Sequence, residues 1–193
     1  MPFIAFLGCD GSGKSAVITG IGERLRANGV AVAHGHWMPK ALHRQSAVNK
    51  PIAADNPHGL PPRGAFLSMM KLMWLAVNWW LAWWRDLRRS SRRGVVLFDR
   101  YHADLLVDPR RYRYGGPMSL ARLASSLMPR PDLVIYLDAP AEVLLARKQE
   151  VPLEALERGR AAYLALAARD GGIRVIDASR PLEVVLDEVA ALI

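Results

Sequence analysis

Cysteine is almost absent from this chain of 193 residues. Cys9 stands alone, which excludes a disulfide framework and agrees with a reducing compartment. Lysine is scarce as well, with five against 21 arginines. The N-terminal stretch Met-Pro-Phe-Ile-Ala-Phe-Leu-Gly has no basic region ahead of its apolar run, so it is not expected to act as a secretory signal. There is no internal repeat, no heptad pattern and no obvious interdomain linker. With 51% hydrophobic and 23% charged residues, the composition is neither disordered nor fibrous. The length suits one domain, which commonly runs to about 100–200 residues, and it suffices to bury a core without a staple. A single domain over residues 1–193 is therefore expected, in the cytoplasm.

What is abundant is arginine, and it is clustered. Nine of the arginines lie within residues 85–113 against four aspartates, so most of the net charge of +8 sits there. A planar guanidinium fork suits phosphate and carboxylate oxygens. Such a run is either a solvated basic face or a footprint for a polyanionic ligand, an acidic lipid surface or nucleic acid. Short apolar runs at 2–7, 30–33, 95–98, 133–137 and 173–176 are rich in Val, Ile or Leu, as strands buried on both faces of a parallel sheet are. Helical patterns at 14–28, 65–93, 119–127, 141–148, 153–169 and 182–192 lie between and after them. That alternation predicts an α/β fold with right-handed crossovers. Residues 38–64 carry five prolines and little periodicity, and read as a long loop.

Gly8-Cys9-Asp10-Gly11-Ser12-Gly13-Lys14-Ser15 fits G-x-x-x-x-G-K-[ST], the Walker A pattern, between an apolar strand and a helix. Its glycines let successive backbone N–H groups turn toward a phosphate, and the helix N-terminus behind them favours anions. An ATP-binding set of Gly8, Asp10, Gly11, Ser12, Gly13, Lys14, Ser15 and Ala16 follows, with Lys14 reaching the β- and γ-phosphates and Ser15 a ligand of Mg²⁺. Further on, the apolar run Val95-Val96-Leu97-Phe98 ends in Asp99-Arg100-Tyr101. A carboxylate at the C-terminal edge of a strand stands where ligands bind in open α/β sheets. Asp99 is thus a second Mg²⁺ candidate, and Arg100 a clamp for the moving phosphoryl group.

These segments resemble thymidylate kinase, as do Tyr136-Leu137-Asp138-Ala139-Pro140, residues 163–168 and the stretch 176–183. The resemblance runs end to end and is densest over 1–24, 94–102 and 133–187. It implies a three-layer P-loop kinase fold, a five-stranded parallel sheet flanked by helices, with ATP as donor and Mg²⁺ as cofactor. It also implies that Asp10 points at the acceptor, that Arg100 binds the acceptor phosphate or the moving phosphoryl, and that the loop after Asp177, with Arg180, lies beside adenine. Three places depart from the family pattern. The Arg-Glu-Pro-Gly segment after the second strand is replaced by His34-Gly35-His36-Trp37-Met38-Pro39. The Tyr-Gln-Gly run is replaced by residues 108–116, and the Arg-rich lid shrinks to Arg147-Lys148-Gln149-Glu150 before Pro152. The donor half of the site is kept and the thymidylate half is not.

The acceptor side then falls to Asp10, His36, Trp37, Arg100, Arg111 and Arg113, a set that suits a small anionic acceptor. His34 and His36 without further ligands are thin support for zinc. Arginines interleaved with Tyr112 and Tyr114 could clamp a phosphate or stack on a planar group; a kinase core makes nucleic acid the weaker partner. Residues 65–84 hold 17 apolar residues, among them Trp74, Trp79, Trp80, Trp83 and Trp84. Ser68, Lys71, Asn78, Arg85, Arg89 and Arg92 share one helical stripe with Trp79, Trp80, Trp83 and Trp84 opposite, so a core helix, a homodimer face and a membrane-surface helix all remain open. The expected activity is transfer of the ATP γ-phosphoryl by Lys14, Asp99, Arg100 and Asp10, aided by Arg147 or Lys148. Competing acceptors are a nucleoside monophosphate such as dTMP, a glycan or other hydroxyl, and a lipid-linked hydroxyl at the membrane surface. The alternative from another class is an ATP-binding module that transfers nothing.

Overall fold

The computed structural model describes residues 2–37, 61–87, 94–149 and 151–193. Most of the expected long loop, the far end of the Trp-rich helix and Glu150 lie outside the described residues. The chain divides into two compact units: Met1–Trp37 with Arg89–Tyr101 and Pro131–Ile193, and Met38–Arg88 with His102–Arg130.

The first unit holds an all-parallel sheet of five strands, β1 (Phe3–Leu7), β2 (Val32–His36), β3 (Val95–Asp99), β4 (Leu133–Asp138) and β5 (Ile173–Asp177), in the order β2-β3-β1-β4-β5. The fold is α/β, as the alternation of runs and helical patterns predicts. β1 lies centrally and is wholly buried, so it reads as a continuous apolar run. Its even positions, Ile4 and Phe6, enter a core with Val17, Ile18 and Ile21 of α1 (Lys14–Ala27) and Val185, Leu186 and Val189 of α7 (Leu182–Ala190). On its odd side, Phe3 meets Phe98 edge-on at 5.6 Å. The edge strands β2 and β5 are only half-buried, unlike the two-sided burial expected from their apolar residues.

β2 begins two residues later than its apolar run. Val30 donates to the Leu25 carbonyl and Gly29, at φ +76°, to that of Arg26, so both close the end of α1 in a Schellman turn. The remaining helices of this unit, α5 (Ala141–Arg147) and α6 (Leu153–Arg169), fall where the pattern places them. Tyr163 of α6 stacks on Tyr136 of β4 at 4.9 Å.

The second unit is helical: α2 (Ala65–Ala82), continued by a π turn at Trp83–Leu87, then α3 (Asp104–Val107) and α4 (Met118–Leu127). α3 is a single turn, too short to leave a periodic trace in the sequence. Leu72, Leu105, Tyr114 and Ala121 form its core. The polar stripe of α2 faces inward and most of its large apolar side chains face outward. Ser68 is 1% exposed and Asn78 3%, while Phe66 is 68%, Met73 66% and Trp84 62% exposed. Ser68 and Asn78 both have hydrogen-bond partners. Ser68 Oγ bonds the Arg63 carbonyl and the Gly115 N–H, and the Asn78 amide donates to the Trp74 carbonyl. Trp79 is the tryptophan that turns inward, edge-on to His102 at 6.4 Å.

Candidate active site

Residues 8–13 connect β1 to α1, and Lys14 and Ser15 open the helix. Glycine is required here by space as much as by conformation. A Cβ on Gly11, at φ +85°, would lie 2.4 Å from the Leu144 carbonyl oxygen, and one on Gly8 2.5 Å from Ser12 Oγ. Gly13, at φ +81°, starts α1 without a side-chain cap. The Lys14 ammonium is buried and donates to the carbonyls of Gly8 and Cys9, both at 2.8 Å, and to Ser12 Oγ at 3.3 Å. The loop is thereby tied by the lysine that it presents. Ser15 and Ala16 are exposed in the first turn of the helix.

β3 delivers two charged groups to the same end of the sheet. Asp99 pairs in register with Phe6 of β1 on one side and His36 of β2 on the other. Its Oδ1 is buried and accepts no hydrogen bond, a costly state for a carboxylate unless something else satisfies it. Arg100 follows at φ +66°, a left-handed conformation rare for a side chain of its size. Its N–H donates to the Phe6 carbonyl, and its guanidinium meets Asp10 Oδ1 at 2.5 Å. Both members of that pair are buried.

The other expected donor-side residues hold their own chain. Arg147 Nη1 donates to the Ala178 carbonyl at 2.8 Å, and Ala178 N–H in turn to the Asp138 carbonyl. Arg180 pairs with Glu188. Asp177 accepts from Ser179 Oγ and N–H, which hold its carboxyl below the usual range. These bonds shape the loop after β5. One pair escaped the sequence reading: Arg160 of α6 grips Asp138 through both oxygens, at 2.8 and 2.9 Å, beside the Tyr136 hydroxyl. Nothing in the local sequence couples residues 22 apart on different elements.

On the acceptor side, His36 is exposed at the end of β2, and Trp37 N–H donates to the Asp99 carbonyl at 2.8 Å. His34 shares the exposed side of the strand and lies 2.6 Å from an Arg26 nitrogen; burial and that cation lower its pKa. Among the described residues no cluster of His, Cys, Asp and Glu could form a metal cage. Arg111 and Arg113 belong to the second unit. Arg111 N–H donates to Asp108 Oδ1, and Arg113 Nε to the Pro61 carbonyl. Tyr112 and Tyr114 pack in the core of that unit. The non-glycine described residues with positive φ are Trp37, Arg100 and Arg113. All three were singled out as acceptor-side residues, and no sequence signal marks that strain.

The parallel sheet, with a glycine-rich turn between its central strand and the first helix, defines an α/β protein of the P-loop kinase type. No family model matches the chain. It is 30% identical over 206 aligned positions to the probable thymidylate kinase of Pyrobaculum aerophilum, covering 100% of this chain and 96% of that protein. The chain belongs to the thymidylate kinase family.

Proposed function

We propose that this protein transfers the γ-phosphoryl group of ATP to a small anionic acceptor of the nucleoside monophosphate class, and that dTMP is a poor acceptor. The observation that carries the reading is the buried Asp10–Arg100 pair beside the Lys14 loop. A guanidinium presents a planar fork of donors suited to phosphate oxygens, and one held by a carboxylate is preorganised before any substrate arrives. Strain at Trp37, Arg100 and Arg113 supports the same assignment, because such backbone is tolerated where function uses it.

In this reading, the loop N–H groups of Gly8, Asp10, Gly11, Ser12, Gly13, Ser15 and Ala16 receive the donor phosphates. Lys14 exchanges its carbonyl partners for phosphate oxygens. Ser15 and Asp99 would hold Mg²⁺ together with phosphate oxygens and water, a sparse protein set typical of that ion. The unsatisfied Asp99 Oδ1 fits a metal or its water shell. Bound there, the ion neutralises charge on the donor phosphates. Arg100 bridges acceptor and moving phosphoryl while Asp10 orients the acceptor or takes its proton. Arg147 and Arg180 fix the adenine-side loop. His36, Trp37, Arg111 and Arg113 stand where the family's thymidylate-gripping segments differ, which is why the acceptor is placed outside dTMP.

The test is transfer of labelled phosphate from ATP to a panel of dTMP, other nucleoside monophosphates, sugars and lipid-linked hydroxyls. Transfer to an anionic acceptor with negligible dTMP turnover supports the proposal. Turnover of dTMP in the ordinary kinase range of about 1–100 s⁻¹ overturns the acceptor assignment, and ATP binding without transfer to any acceptor overturns the kinase reading.

A further inference from the structure

Arg160 stands on α6, one residue beyond the place where that helix meets the phosphate loop. A Cβ on Gly159 would lie 3.3 Å from Cys9 Sγ, so the helix backbone is seated against the turn that holds Lys14. From there Arg160 reaches Asp138, the last residue of β4, with Nε on one carboxylate oxygen and Nη2 on the other. The Tyr136 hydroxyl donates to the same carboxylate at 3.0 Å, and its ring stacks on Tyr163, one turn further along α6. Burial, and then the nearby Cys9, raise the pKa of that hydroxyl, so it stays a donor.

The grip passes on to the loop after β5. Asp138 pairs in register with Asp177, and its carbonyl accepts the Ala178 N–H at 2.7 Å. The Ala178 carbonyl is held in turn by Arg147. Hydrogen bonds from Ser179 lower the pKa of Asp177, and the charge of Arg160 adds to them. One guanidinium thus serves the carboxylates that end both neighbouring strands. The side chains of Arg160 and Asp138 are 35% and 15% exposed, a setting in which an ion pair adds little stability. A bidentate fork supplies orientation instead, because two parallel bonds fix the plane of the carboxylate as well as its distance.

With ATP as the donor proposed above, we infer that Arg160 is a positioning residue that sets the span between the seat of the phosphates and the seat of the adenine. The phosphate loop lies against α6 at Gly159, and the adenine-side loop is tied to α6 through Arg160 and Asp138. Triphosphate and base are two ends of one ligand. The second end adds to affinity only when its seat already stands at the right distance from the first. Arg160 fulfils this role without touching the nucleotide.

The experiment is calorimetric titration of the full chain with ATP and with inorganic triphosphate, both in excess Mg²⁺, beside a thermal melt. The parent should bind ATP more tightly than triphosphate. Arg160→Lys keeps a charge beside Asp138 but cannot form the fork, so it should melt near the parent. Its affinity for ATP should fall about tenfold while that for triphosphate stays unchanged. Asp138→Asn, which leaves Arg160 in place and removes the charge it grips, should show the same split. Parent-like ATP binding in both variants overturns the inference. So does an equal loss of ATP and triphosphate, the mark of a merely structural role. A parent chain that binds triphosphate as tightly as ATP has no base seat to position, and overturns it as well. A parent that binds neither ligand overturns the ATP-donor reading, and the role of Arg160 with it.

Discussion

At the scale of single residues, Lys14 and Arg100 differ in what their loss should do. Lys14 donates to the neutral oxygens of Gly8, Cys9 and Ser12, and its truncation removes a cation from the loop. Lys14→Ala should lower kcat/KM for ATP by about 10²–10³ while the melting temperature changes little; steady-state kinetics beside a thermal melt would check both halves. Arg100 is different because Asp10 is buried with it. Arg100→Ala takes the guanidinium from that carboxylate and should cost about 1–3 kcal/mol of stability, read by chemical denaturation. Arg100→Lys should restore part of that stability but not the rate, since a point charge does not reproduce a fork that holds one carboxylate and reaches a second anion. Parent-like kinetics in the lysine variant would rule out the clamp. The glycine loop and the Asp99-Arg100-Tyr101 triplet were legible because their chemistry needs fixed residue types at fixed local spacing. The Arg160–Asp138 fork was not, since it joins separate elements of the fold.

At the scale of elements, the strands that the sequence marks best are those buried on both faces. β1 and β3 stand where their apolar runs are, whereas β2 is displaced because Gly29 and Val30 serve the end of α1. β2 also packs where only a hydrogen fits. A Cβ on Gly35 would lie 1.8 Å from the Phe98 ring, a buried side chain with little room to give. Gly35→Ala should therefore destabilise the first unit by about 1–3 kcal/mol through overpacking. Because β2 carries His36 and Trp37 and pairs with Asp99, the rate should fall too; a urea titration and an activity assay on the same preparation would separate the two effects. The orientation of α2 shows where periodicity runs out. The pattern separates a polar stripe from a tryptophan face, yet it says nothing about which side the rest of the chain will cover. Ser68 and Asn78 could turn inward because Arg63, Gly115 and Trp74 supply backbone partners.

At the scale of the whole molecule, its two units should respond to acid differently. The second unit buries His102 against Trp79, with Ser125 Oγ 2.7 Å from Nδ1, and burial lowers the pKa of the imidazole to about 3. An unfolded chain returns that histidine to about 6.5. Between those values the unfolded state binds the proton and the folded state does not. Stability from the neutral imidazole is thus fully present above about pH 6.5 and falls as the pH drops toward 3, by at most about 1.4 kcal/mol per pH unit. Five of the six tryptophans lie at positions 74–84, inside this unit, so its unfolding dominates the emission signal. Urea midpoints followed by tryptophan emission should therefore decline from pH 6.5 downward. In His102→Asn that part of the decline should disappear, because the amide does not titrate, although the variant starts from lower stability at neutral pH. In the first unit, Ser179 holds the Asp177 carboxyl below the usual range, so that group keeps its charge to more acid pH than an ordinary carboxylate. A His102→Asn chain with the parent slope between pH 6.5 and 4 would mean that the imidazole is not the group the second unit keeps neutral.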